Sequence, residues 1–144
     1  MLFRSAAGYA EALATAGIDA DAELVAPGGF TEEGGSEAAR ALLDARPQTS
    51  AIFAANDLSA LGAINAITAT GRRVPYDVSV VGFDDLRLSA FLSPPLTTIH
   101  QPAHEIASRA TEILIDLTRG REVRKMRYVF EPRLVVRAST SAFR

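Results

Sequence analysis

The sequence predicts an α/β fold, a parallel sheet flanked by helices. Three observations predict it. Short apolar runs of strand length alternate with longer stretches whose apolar residues recur every three to four positions. The clearest run, Val78-Ser79-Val80-Val81-Gly82-Phe83, is β-branched with one polar interruption, the composition of a strand covered on both faces. Polar clusters follow the C-terminal ends of these runs, where open parallel sheets hold their ligands.

Residues 5–16 are alanine-rich, with Tyr9 and Leu13 one turn apart and Gly17 as a stop, and read as a helix. Glu23-Leu24-Val25-Ala26 reads as a short strand closed by Pro27-Gly28-Gly29. Residues 34–46 read as a second helix with Ala38, Ala41, Leu42 and Leu43 on its apolar side, and Pro47 closes it. The run 50–55 reads as a strand. Asn56 and Asp57 can both cap the helix that follows, which carries Leu61, Ile64, Ile67 and Thr68 and stops at Gly71. After the strand at 78–83, residues 96–100 read as another strand behind Pro94-Pro95. A helix then starts at Pro102, with Ile106, Ala110, Ile113, Leu114 and Leu117 along one face and Gly120 as its stop. Residues 128–130 and 134–136 read as strands on either side of Pro132.

Bulk properties narrow the function. A chain of 144 residues has the length of one ordinary domain and can bury roughly 68–70% of its unfolded surface. The formal net charge of -2 argues against a face that grips nucleic acid through phosphates. The absence of cysteine excludes disulfides and thiolate zinc sites and fits a cytoplasmic protein. No apolar run approaches the ~20 residues that cross a bilayer, and Arg4 and Glu11 interrupt any signal-peptide reading of the N-terminus. No membrane contact and no cofactor are expected. Gly28-Gly29 and Gly34-Gly35 match neither phosphate-binding glycine motif, and Lys125 is the only lysine.

Catalysis is not expected either. Asp84 and Asp85 are adjacent, and adjacent residues at a strand end point apart instead of flanking a bond. His100 and His104 are separated by a helix start and have no third ligand, so they read as surface histidines and no metal is expected. Gly-x-Ser-x-Gly is absent. Arg119, Arg121, Arg124, Lys125 and Arg127 read as a solvated basic stretch.

What remains is a polar rim. Asn56 and Asp57, Asp84 and Asp85, and Gln101 each follow a strand, so they converge on one edge of the sheet. Carboxylate and amide groups there suit a polyhydroxylated small molecule, and Phe30 in an earlier loop can cover a ring face. Plainer roles are open for each: Asn56 or Asp57 as helix cap, the two aspartates as turn residues, Phe30 as a loop seal.

Four longer strings carry more information: AIFAANDLSALGA (51–63), RVPYDVSVVGFDD (73–85), PPLTTIHQP (94–102) and PRLVVRAST (132–140). In order and spacing they resemble the conserved blocks of LacI/GalR-type bacterial transcription regulators, and GYAEAL (8–13) resembles the helix that opens the second lobe of their sensing domain. The resemblance covers nearly the whole chain. It implies an incomplete second lobe of a periplasmic-binding-protein-like (type I) fold, with residues 1–101 and 132–144 as second-lobe elements. Residues 102–131 would pack on a first lobe that this chain lacks, along with the strand before the helix at 5–16. It also implies that a sugar or nucleoside-like effector binds between lobes and modulates an N-terminal helix-turn-helix, also absent here, that contacts operator DNA.

Carried over by position, the effector-binding residues would be Asn56, Asp84, Phe30 and Gln101, with Arg4 standing in for an arginine the family has one residue later, where this chain has Ser5. Leu61 and Leu92 would lie in a homodimer interface. Gly29 and Ala103 replace residues that are polar or aromatic in many members, which leaves the effector's identity open. The alternative reading on the same fold is a periplasmic sugar-binding protein of a transporter.

Overall fold

The computed structural model describes residues 2–123, 125 and 127–142, with the side chains of residues 2–4 outside the description. It contains helices α1 (Leu2–Thr15), α2 (Glu32–Ala45), α3 (Asp57–Ala69) and α4 (Ala103–Thr118). Strands β1 (Ala51–Phe53), β2 (Ser79–Asp84), β3 (Thr97–His100) and β4 (Arg133–Val135) form one sheet in that order.

β1, β2 and β3 are parallel, with Ile52 opposite Val80 and Gly82 opposite Thr98. β4 runs antiparallel to β3, with His100 opposite Arg133, so the sheet is mixed and not wholly parallel as expected. The chain leaves the sheet after His100, makes α4, and returns beside the point it left. A strand that returns this way can only run antiparallel. β2 is also less enclosed than its composition suggests: Val80 is buried, whereas Val81 and Phe83 on the other face are half-buried.

The core lies between that enclosed face and α3. Leu43, Ile64, Ile67, Val78, Val80 and Leu96 pack there, with Ile52, Val74 and Leu92 at its edge. Each large aliphatic side chain withdrawn from water contributes about 1.5–3 kcal/mol, which makes this cluster the main driving force of the fold. α3 reads as apolar nearly all round because it is sandwiched between the sheet and α2. The α2–α3 approach requires Gly62, since a Cβ there would lie 1.9 Å from the Glu32 carbonyl oxygen. The Ser139 hydroxyl joins the strands from below, accepting from the Thr97 N–H (2.7 Å) and donating to the Val80 carbonyl (2.6 Å).

Two expected strands do not form. Residues 22–24 make a 3-10 turn, capped by Asp21 accepting from the Glu23 N–H (2.9 Å), and Val25 is 63% exposed. A strand needs a neighbour, and β1's outer edge carries none among the described residues. Residues 128–130 are likewise irregular. Tyr128 is held instead between Arg109 and Lys125, whose charged groups lie 4.3 and 4.7 Å from its ring centre. Arg124 of the basic stretch lies outside the described residues. The remaining elements form within a few residues of expectation. α2 starts earlier because Thr31 caps it, its hydroxyl accepting from the Gly34 N–H (3.0 Å).

Candidate functional site

The rim at the C-terminal ends of β1, β2 and β3 is organised by a carboxylate that never reaches solvent. Asp57, the first residue of α3, is fully buried. It accepts from the Leu86 N–H (2.7 Å), the Ser89 hydroxyl (2.5 Å) and the Thr98 hydroxyl (2.5 Å). These donors come from the segment after β2 and from β3, so one side chain ties three elements together beneath the rim. Gly82 makes room for it: a Cβ there would lie 2.3 Å from Asp57 Oδ1. Charge-assisted bonds in a dry setting are the stronger kind, and each donor would be costly to leave alone.

Asn56 performs the cap. Its Oδ1 accepts from the Ser59 N–H (2.8 Å), closing the first turn of α3. Its Nδ2 donates to the Phe30 carbonyl (2.9 Å). The cap and the anchoring of the Phe30 loop therefore occupy the same amide. Phe30 itself is 43% exposed, its ring not sealed into a core.

Asp84 and Asp85 close β2. Asp84 accepts a hydrogen bond from Gln101 Nε2. Asp85 accepts from the Arg137 guanidinium (2.6 Å) and its other oxygen lies 3.0 Å from His100 Nδ1. His100 is thus a half-buried partner of Asp85, not the surface histidine expected from sequence. Burial pushes the Asp84 carboxyl above its ordinary value, against the Gln101 bond, and the nearby Asp57 adds to the rise. Burial also pushes Asp85 up, but the bonds and charges of Arg137 and His100 outweigh it and leave that carboxyl below its ordinary value.

The non-glycine residues with left-handed backbones among the described residues are Phe30 (φ 60°), Asp84 (φ 115°) and Asp85 (φ 56°). Such conformations cost on the order of 1–3 kcal/mol each and persist where the surroundings enforce them. All three fall on this one rim. The strain is thus carried by side chains that are polar or ring-bearing.

The structure thus brings four of the expected site residues, Phe30, Asn56, Asp84 and Gln101, to one rim. Arg4 lies in α1, and its side chain is outside the description. Leu61 is half-buried on α3, and Leu92 is half-buried against the main core. Close to them in sequence, Leu58, Leu86 and Phe91 are exposed, Phe91 by 77%. Sequence reading missed Asp57 as an anchor, since an aspartate at a helix start looks like any cap. It also missed the Arg137–Asp85–His100 group, which only the return of β4 assembles. Among the described residues no cluster of acidic and histidine side chains is fit to hold a metal, and no helix is long and apolar enough to cross a membrane.

Residues 4–140 match the family described as a periplasmic binding protein-like domain. The chain is 42% identical over 132 residues to the HTH-type transcriptional regulator CelR of Thermobifida fusca, covering 92% of this chain and 39% of that protein. It is 41% identical over 135 residues to the HTH-type transcriptional repressor CytR of Escherichia coli (strain K12), covering 94% and 40%. Among solved structures, a complex of the regulator CelR with cellobiose superposes with a TM-score of 0.88 at 42% identity, over 92% of this chain and 40% of that one. The chain spans about 40% of the length of the curated relatives it matches.

Proposed function

The chain belongs to the periplasmic-binding-protein-like domain family, and from that premise we propose that it is the effector-sensing and dimerising portion of a LacI-type transcriptional regulator. The observation that carries this reading is the strained polar rim, Asp84 with Gln101 beside it and Asn56 with Phe30 at the neighbouring strand end, in a chain 42% identical to a regulator solved with cellobiose. The effector is a sugar. The Asp84 carboxylate accepts from neighbouring hydroxyls, the Phe30 ring covers the sugar's C–H face, and Asn56 sets the loop that carries Phe30. Arg4 is a further effector contact.

The mechanism is linkage. An effector that prefers one arrangement of two lobes shifts the balance between states that hold operator DNA and states that release it, the DNA being held by a helix-turn-helix elsewhere in the regulator. The protein is a cytoplasmic homodimer whose interface includes Leu61 and Leu92, extended by exposed Leu58, Leu86 and Phe91. The regulators named among its relatives favour this over a transporter's sugar carrier or an enzyme.

Titration calorimetry of the intact regulator with cellobiose, lactose and cytidine tests the reading. Binding of one of the two sugars is expected, and Asp84→Ala should weaken it by about tenfold or more, as removal of a charged hydrogen-bond acceptor does. Binding of cytidine alone, or affinity unchanged in Asp84→Ala, would overturn the sugar assignment.

A further inference from the structure

We propose that Asp84 and Gln101 form a latch that the effector opens: their hydrogen bond holds the start of the α4 excursion against the sheet, and effector hydroxyls that take the Asp84 carboxylate release it. The inference rests on the effector reading above and assigns Gln101 a different part in it, competitor instead of ligand contact.

Two stretches of chain join α4 to the sheet, Gln101-Pro102 on the way out and the longer segment 119–132 on the way back. They leave and return side by side, because His100 and Arg133 are opposite one another in the ladder. No residue of α4 is buried against the sheet, so what ties its start to β3 is the connection through Gln101. The turn Asp84-Asp85 sits at this junction. Asp85 grips His100, the last residue of β3, and Arg137, just beyond β4. Asp84 grips Gln101, the first residue outside the sheet.

The two grips differ in kind. Asp85 is held by charge, and Arg137 is itself fastened by donating to the Leu96 carbonyl (2.8 Å). Asp84 is held by one neutral amide and is next to the buried Asp57, whose charge works against its own. A polyol offering two hydroxyl donors replaces a single amide at Asp84 with gain, whereas it offers nothing that displaces a guanidinium from Asp85. The weaker grip is therefore the one the effector reaches, and it is the one that controls the outgoing connection. Gln101 and Asp85 are positioning residues in this scheme. Asp85 keeps the turn in its left-handed backbone while Asp84 changes partner.

Amide hydrogen exchange on the intact protein tests the latch without any effector. Asp84→Ala and Gln101→Ala should each speed exchange in peptides covering residues 100–106 by about fivefold, the loss of one hydrogen bond, and leave residues 78–83 unchanged. Asp84→Asn, whose side-chain oxygen still accepts from Gln101, should keep the protection. Unchanged exchange at 100–106 in both alanine variants, or equal acceleration through β2, would overturn the latch. With cellobiose as the probe, wild-type protein should show the same acceleration at 100–106, and Gln101→Ala should bind it more tightly. Weaker binding by Gln101→Ala would make Gln101 a plain ligand contact and also overturn the latch. Should neither cellobiose nor lactose bind, the sugar reading is what fails, and the variants alone decide the latch.

Discussion

Replacing Asp57 with alanine strands three donors at once: the Leu86 N–H and the Ser89 and Thr98 hydroxyls all lose their acceptor in a space closed to water. A loss of about 3 kcal/mol is expected by urea denaturation, a large share of the 5–15 kcal/mol typical of a whole domain. A variant within about 0.5 kcal/mol of wild type would show that the carboxylate is dispensable. Asp84 gives a different reading. Its carboxyl is raised, so it picks up a proton at a higher pH than an ordinary aspartate. Effector affinity that depends on the charged form should therefore fall with decreasing pH before the usual aspartate range near 3.9 is reached. Asp84→Asn, which cannot titrate, should bind weakly with a flat profile in calorimetry at several pH values. Asn56, Asp84 and Gln101 were legible because each follows an apolar run. The strain at Phe30 and the partners of Asp85 were not, since backbone angles and a strand that returns from residue 133 leave no local trace in the sequence.

Element by element, what could be read depended on whether a neighbour was at hand. β2 and α3 announce themselves because their own composition suffices, and each has a partner within the chain. Residues 23–26 and 128–130 have strand composition yet form none, because propensity only becomes a strand where a ladder is available. The contact between α2 and α3 shows the converse, a fit the sequence hides. Gly62 looks like a weak point in a helix, but any side chain there meets the Glu32 carbonyl. Gly62→Ala should thus destabilise by about 1–3 kcal/mol, although alanine is the better helix former. A stabilised variant in thermal melts would contradict the packing.

For the whole molecule, the apolar surface decides its company. Phe91, Leu58 and Leu86 are exposed on segments near Asp57 and close in sequence to the two leucines expected in a dimer interface. Phe91→Asp in the intact protein should shift sedimentation from the proposed dimer toward monomer, because a charge introduced into that interface is desolvated without a partner. An unchanged dimer would place the interface elsewhere. The overall class of fold was plain from the alternation of runs, whereas the antiparallel last strand followed from how the chain comes back, which no periodicity records.

That return has an evolutionary side. Since His100 and Arg133 face one another, everything between them leaves and re-enters through a single doorway. Residues 102–132 are in effect a cassette, and a recombination event that swapped them would need to match only two adjacent chain ends. Trimming the cassette to a turn of about four residues is roughly three halvings of loop length, each worth about 0.6 kcal/mol of closure entropy. The sheet should accept the trimming, and intact β2–β3 amide protection in such a deletion would show it. Gene fusion and shuffling can thus rewrite this arm without disturbing the rim of Phe30, Asn56, Asp84 and Gln101.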